Sequence, residues 1–360
     1  MSLIQLHRPL YFSSVSEKEE KIRVFDSSGL AVSDELFGLP FTAEESELII
    51  LPVPWEATVS YRPGTAIGPA AVLEASYQVD LQDAYNPSGW QSGFYLLQED
   101  NALVELGKSA RRKAIKHLQK LEKGKESKRA LQQVNAATAT MVKTVEEQSS
   151  RWLEQGKVVA ILGGDHSTPQ GLIQALAKHH SSFGILQIDA HFDLRKAYEG
   201  FTHSHASIMH NILDVDEVKK LVQVGIRDYC DEEMAVVSSF RGRIHAFFDR
   251  ELRRSMLHGE NWWTICRRIV STLPKKVYIS FDIDGMDPSL CPNTGTPVPG
   301  GFQWEEVLML LETVVDSGRE IIGFDLVEVS RMAENEWDAI VGARMLFKLC
   351  NLTMASQGND

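Results

Sequence analysis

Cysteine is scarce in this sequence. The 360 residues include four, Cys230, Cys266, Cys291 and Cys350, far apart and in no C-x-x-C pairing. That excludes a disulfide framework and a thiolate metal site, and it implies reduced thiols in a cytoplasmic protein. Long apolar runs are also missing: nothing approaches the roughly 18 consecutive apolar residues of a membrane span. The first residues, M-S-L-I-Q-L-H-R-P-L, lack the apolar core of a signal peptide. There is no basic excess. Lys and Arg number 37 against 49 Asp and Glu, a formal charge of -12. Such a balance argues against a nucleic-acid surface and is compatible with a small cationic partner. Internal repeats and low-complexity linkers are absent too. Hydrophobic residues at 43% and charged residues at 24% are ordinary globular values, and the length suits one large α/β domain.

The most informative stretch is F-G-I-L-Q-I-D-A-H-F-D, residues 183–193. Its apolar run predicts a buried strand that delivers Asp189, His191 and Asp193 at its carboxyl end. Residues two apart on a strand share a face, so two carboxylates and an imidazole point the same way. Burying them together demands a counter-charge, and mixed oxygen and nitrogen donors suit a hard or borderline divalent ion.

Around this stretch the chain predicts a parallel α/β sheet. Residues 1–45 form a turn-rich amino-terminal extension without a motif. A strand over 47–53 leads into W-E-A-T-V-S-Y-R-P-G-T-A-I-G-P, a loop in which Trp55, Tyr61 and Arg62 are candidates to line a substrate entrance, and Pro69 opens a helix. Residues 100–128 are dense in charge and read as a solvated helical face or insertion with no assigned function. A helix over 129–155 follows. In K-V-V-A-I-L-G-G-D-H-S-T-P a strand ends at Gly163-Gly164 and His166 follows at its tip, the two glycines allowing a tight turn and a close approach. After Asp193 a loop carries His203, His205 and His210. Further strands are L-V-Q-V-G-I-R-D, R-I-H-A-F-F-D-R, K-V-Y-I-S-F-D-I-D-G-M-D-P and E-I-I-G-F-D-L-V-E-V-S, with one helix over 251–272 between the second and third. The third places Asp282 and Asp284 on one face, and the last places Glu328 near its end. His166, Asp189, His191, Asp193, Asp282 and Asp284 thus meet at three strand tips. Four carboxylates exceed what one buried divalent ion balances, so two ions about 3.5–4 Å apart are expected.

G-G-D-H-S, D-A-H-F-D and S-F-D-I-D-G-M-D-P, in this order, resemble the three signatures of the ureohydrolase superfamily, which comprises arginase, agmatinase and formimidoylglutamase. The resemblance spans roughly residues 47–350 and leaves out the extension and the charged segment. It implies a three-layer αβα fold with a mostly parallel sheet of about eight strands, in one catalytic domain over 46–356. It also implies two manganese ions, with nickel or cobalt as alternatives. Carried across by motif, His166 and Asp193 hold one ion, His191 and Asp284 the other, and Asp189 and Asp282 bridge them. Asp193 orients the nucleophile, Glu328 binds a guanidinium, and His205 passes a proton to the leaving amine, with His203 an alternative. Trimers or hexamers are implied as well. The loop after Asp193, L-R-K-A-Y-E-G-F-T-H, does not match the amino-acid-binding loop of arginases, which disfavours arginine. G-T-A-I-G-P and N-T-G-T-P-V-P-G-G resemble agmatinases, so agmatine is the expected substrate. Free guanidine is the first alternative, on the supposition that Trp55, Tyr61, Tyr198 and Phe201 close a short pocket. Formimidoylglutamate is the next, with Arg62 or Arg195 available for a carboxylate. A metal-binding relative without turnover and a dinuclear phosphoesterase are the rival classes. The complete ligand set argues against the first, and the lack of phosphate-binding loops against the second.

Overall fold

The structure, a computed structural model, describes residues 16–31, 34–125, 127–332 and 335–357. The start of the expected extension, residues 1–15, lies outside them. Among the described residues eight strands form one sheet: β1 (Leu48–Val53), β2 (Phe94–Leu96), β3 (Val158–Gly163), β4 (Phe183–Ile188), β5 (Val218–Ile226), β6 (Ile244–Phe248), β7 (Lys276–Asp282) and β8 (Glu320–Val327). Their order is β2-β1-β3-β8-β7-β4-β5-β6, and every pairing is parallel. Parallel strands covered on both faces need apolar residues at nearly every position, as I-L-Q-I and V-Y-I-S-F show.

Successive strand residues feed two separate cores. Leu48, Ile50, Leu186, Ile188, Ile279 and Phe281 face one side. Ile49, Leu51, Ile185, Leu221 and Tyr278 face the other. The helices in chain order are α1 (Glu17–Val24), α2 (Gly68–Ser76), α3 (Asn101–Leu121), α4 (Lys128–Leu153), α5 (Gln170–His179), α6 (Ile208–Ile212), α7 (Asp231–Ser239), α8 (Asp249–Leu257), α9 (Trp262–Val270), α10 (Trp304–Asp316) and α11 (Trp337–Ser356). Helices α2, α9, α10 and α11 cover the first core, and α3, α4, α5 and α6 the second. This is the three-layer αβα arrangement that the sequence implies.

Three local differences have physical reasons. The short edge strand β2 was not foreseen, because three residues carry too little alternation to register. The helix expected over 251–272 is two, α8 and α9, parted at Gly259, whose φ of 96° is left-handed, and restarted by Asn261, whose side chain accepts from Thr264 N at 2.8 Å. The charged 100–128 segment is not a loose appendage. Its helix α3 buries Leu103, Gly107, Ala110, Ala114 and His117 against the domain and turns its lysines outward. At the amino end, α1 is fastened by Lys18 to Glu47 at 3.0 Å and by Lys21 to Glu45 at 2.7 Å. No helix among the described residues is long and apolar enough to cross a membrane.

Candidate metal centre and active site

The central strands β3, β8, β7 and β4 are neighbours, and their carboxyl ends carry His166, Glu328, Asp282 with Asp284, and Asp189 to Asp193. Chain order breaks here, since β8 and β7 lie between β3 and β4, and such a crevice is where α/β sheets bind ligands. Two glycines permit the crowding. A Cβ on Gly164 would lie 1.9 Å from Trp55 O, and one on Gly285 2.8 Å from Asp189 N.

His166 Nδ1 lies 3.0 Å from Asp189, 3.1 Å from Asp193 and 3.2 Å from Asp282, measured to a carboxylate oxygen of each. His191 Nδ1 lies 3.1 Å from Asp284 and 3.5 Å from Asp189. Two groups with metal-ligand geometry result, His166–Asp189–Asp282 and Asp189–His191–Asp284, with Asp189 in both. All are buried except His191, which is partly exposed. The backbone presets the carboxylates: Asp189 accepts from His191 N at 2.6 Å, Asp282 from Asp284 N at 2.8 Å, and Asp284 from Ala190 N at 3.0 Å.

The polarity of the surroundings fits a cation. Ser280 Oγ lies 2.8 Å from His166 Nε2 and donates to Asp325 at 3.2 Å, so it accepts the Nε2 proton. That leaves Nδ1 facing three carboxylates. In the bare cluster burial lowers the imidazole, but the three carboxylates outweigh it and hold it well above its usual range. A bound ion would replace the proton and take the Nδ1 lone pair. A buried arrangement of lone pairs aimed at one another requires positive charge between them. The ionisation of the bare cluster says the same. Burial, and then the charges of Asp284 and Asp189, hold Asp282 well above the carboxylate range. Burial and Asp189 push Asp193 up to about 7. A divalent ion reverses that logic by favouring the charged forms. The residues therefore fit two divalent ions, with oxygen and imidazole donors and no thiolate.

Asp193 and Glu328 have φ of 56° and 60°, left-handed conformations that ordinarily cost about 1–3 kcal/mol outside glycine. Both are pinned. Asp193 O accepts from Met209 N at 3.1 Å, and Glu328 N donates to Gly164 O at 2.9 Å while Thr294 Oγ1 donates to Glu328 O at 3.0 Å. Glu328 Oε1 accepts from His166 N at 2.9 Å. Burial, then Asp165, raises the Glu328 carboxyl well above its usual range, a shift that an adjacent cation would reverse.

These residues floor a cavity of about 200 Å³ that is walled by Arg195, Tyr198, His205, Asp228, Tyr229 and Glu233. His205 starts a helical turn, with Nδ1 3.3 Å from Thr58 Oγ1. Burial, and then the charges of the neighbouring His191 and His166, push it down to about 4, so without bound ions its imidazole is neutral at pH 7. His203 points elsewhere, its Nδ1 3.1 Å from Gln170 Oε1 on α5, and it does not line the cavity. Three of the expected pocket aromatics are not there. Trp55 is buried against Gly107 of α3, Phe201 packs on His117, and Tyr61 is exposed outside the cavity lining. Of the four, Tyr198 alone lines it. Arg62 turns to Pro292 O at 3.4 Å, whereas Arg195 reaches the wall.

Sequence reading passed over the supporting residues. Gln223, Gln187, Ser280 and Asp325 stand side by side on β5, β4, β7 and β8, one polar row across the buried sheet. Gln187 Nε2 donates to Asp189 at 2.7 Å, and Gln223 Nε2 to Gln187 Oε1 at 2.6 Å. The signal was a lone polar residue inside an apolar strand, two before a candidate metal ligand and hence on its face, as in L-Q-I-D and I-S-F-D. Arg227 was also missed. It donates to Asp284 O at 2.6 Å and Met286 O at 3.2 Å, fastening the turn that carries Asp284.

Comparison with known proteins agrees with this geometry. The model of the Arginase family matches residues 46–351. The N(1)-aminopropylagmatine ureohydrolase of Synechocystis is 30% identical over 316 residues, 87% of this chain and 91% of the relative. The agmatinase of Bacillus anthracis is 29% identical over 304 residues, 83% and 89% of the two chains. In structure, the agmatine ureohydrolase of Thermoplasma volcanium superposes with a TM-score of 0.68 at 22% identity, covering 94% of this chain and 97% of that one. An eight-stranded parallel αβα sheet, two candidate metal-binding groups of histidines and aspartates, and a match over most of its length identify this chain as a member of the arginase family, a ureohydrolase-type hydrolase of the agmatinase-like group.

Proposed function

We propose that this protein hydrolyses the guanidino group of a cationic aminoalkylguanidine, agmatine in the first instance, to urea and the free amine. The observation that carries the reading is the position of Glu328. Its carboxylate adjoins the two candidate metal groups on the floor of a cavity walled by Asp228 and Glu233. A guanidinium, with its planar fork of donors, suits a buried carboxylate, and an acidic wall suits an ammonium at the far end of an alkyl chain. N(1)-aminopropylagmatine, which extends that chain by a second amine, is the second reading, favoured by relatives of that name at 30% and 33% identity. Free guanidine loses its main support, because Trp55 and Phe201 are not at the cavity to shorten it.

Two divalent ions, manganese in this proposal, would be held by His166 and Asp193 and by His191 and Asp284, with Asp189 and Asp282 between. When bound, they lower the pKa of a shared water and polarise the group under attack. The protein's own side chains do the rest. Glu328 accepts the guanidinium N–H groups and fixes the plane of the carbon beside the cluster. Asp193, held in its left-handed conformation, orients the attacking oxygen by accepting a hydrogen bond. His205, neutral in the free enzyme, donates to the departing amine the proton that it takes up during the reaction. Urea release from metal-loaded protein tests the reading across agmatine, N(1)-aminopropylagmatine, guanidine and arginine. The highest kcat/KM should fall on one of the first two. Highest turnover with guanidine, or none with any of the four, would overturn it.

A further inference from the structure

Helix α3, the charged segment without an assigned role, touches both loops that hold His205. From its buried face, His117 Nε2 donates to Glu199 O at 3.0 Å, and its ring meets Phe201 edge-on with centroids 5.4 Å apart. Asn135 of α4 completes the clasp, donating to Gly200 O at 3.1 Å and accepting from Thr202 N at 3.2 Å. The clasped turn closes on Phe201 N donating to Tyr198 O at 2.8 Å, and it carries a strained residue. Glu199 has a φ of 55°, and a Cβ at Gly200 would lie 2.9 Å from Leu131. At the head of the turn stands Tyr198, stacked beneath Arg195 at 4.9 Å and edge-on to His205 at 5.9 Å. On the other side, Arg111 donates to Val59 O, next to Thr58, whose hydroxyl faces His205 Nδ1 at 3.3 Å.

From these contacts the geometry points to α3 as a brace for His205, in which His117 and Arg111 are positioning residues that set the imidazole from its Tyr198 side and its Thr58 side. The inference rests on the role proposed above for His205. A helix braced to the sheet places a loop residue more tightly than the loop's own hydrogen bonds, and a displacement of about 1 Å in a proton-transfer group can cost on the order of 100-fold in rate. Neither residue touches the cavity where substrate would sit. Their effect therefore belongs in kcat, with KM and metal content unchanged.

The test uses His117→Leu and, because a buried replacement can harm folding, the half-buried Arg111→Met, each alone and combined with His205→Ala in the metal-loaded enzyme. Amide hydrogen exchange over 194–206 reads the brace without reference to activity. The expected result is faster exchange confined to that segment in His117→Leu and a kcat about 10- to 100-fold lower in both single variants. Adding either change to His205→Ala should lower kcat no further, and His117→Gln, whose amide can still donate to Glu199 O, should restore most of the loss. Unchanged exchange in His117→Leu overturns the brace. Losses of equal size with and without His205 overturn the route through it. Full turnover in His205→Ala alone refutes the role of His205, and with it the route, even where faster exchange still marks the brace.

Discussion

Replacing Ser280 with alanine isolates the support of one candidate metal ligand, His166. Ser280 is fully buried on β7, with its hydroxyl between His166 Nε2 at 2.8 Å and Asp325 at 3.2 Å. Alanine removes one oxygen atom and leaves the backbone and all six candidate ligands in place. The Nε2 proton of His166 then has no acceptor in a dry site, which costs about 1–3 kcal/mol. The imidazole can avoid that loss by rotating or by moving its proton to Nδ1, and either response removes the lone pair facing Asp189, Asp193 and Asp282. Loss of such a partner ordinarily lowers metal affinity about 10- to 100-fold, or about 1.4–2.8 kcal/mol at 1.4 kcal/mol per decade. The assay is a competition titration of the apoprotein with manganese against a chelating dye, wild type beside Ser280→Ala. One site should weaken by that factor and the other little, because His191 does not touch Ser280. An affinity for both ions within twofold of wild type would refute the argument.

Three further predictions follow from other parts of the molecule. Glu328→Gln keeps the shape but removes the charge that faces a guanidinium, so kcat/KM should fall about 30-fold, some 2 kcal/mol, chiefly through KM; steady-state urea assays would read it. His205→Ala should slow turnover at least 100-fold while the metal content, measured by emission spectrometry, stays at the wild-type value. The third concerns stability. Burial raises the Asp83 carboxyl, but Lys348 and the N–H groups of Asn86 and Tyr85 outweigh it and hold it below its usual value. A depressed carboxyl contributes stability above its unfolded pKa of about 3.9 and loses it as pH falls through the folded value. Lys348→Met should thus lower stability by about 1–3 kcal/mol at neutral pH in urea melts, with the gap closing below about pH 4.

The clustering of the cavity-floor residues was legible in sequence because its grammar is local. A buried strand followed by ligands two apart needs no tertiary knowledge, as Asp189 with His191 and Asp282 with Asp284 illustrate. The supporting row was equally local, since Gln187 and Ser280 interrupt apolar strands, but a lone polar residue has many innocent explanations until its neighbours across the sheet are known. What could not be read was direction between elements. Trp55 and Tyr61 follow the first strand in the right loop, yet one turns into the core against Gly107 and the other into solvent. His203 and His205 are two apart in an irregular loop, where no periodicity tells which enters the cavity. The lysines and arginines of α3, six of its residues, mask the buried stripe of Ala110, Ala114 and His117 between them. Sheet order is also beyond sequence, and it is the placing of β8 and β7 between β3 and β4 that joins Glu328 to the candidate metal ligands.

The central claim is a pair of ions acting on a guanidino group, and one titration tests it most directly. Chelated, metal-free protein would receive manganese in small increments while urea release from agmatine and from N(1)-aminopropylagmatine is followed. Activity should be absent at the start, rise with added metal and level off at about two equivalents per chain. Full urea release from the metal-free protein, or a plateau at one equivalent, would contradict the account.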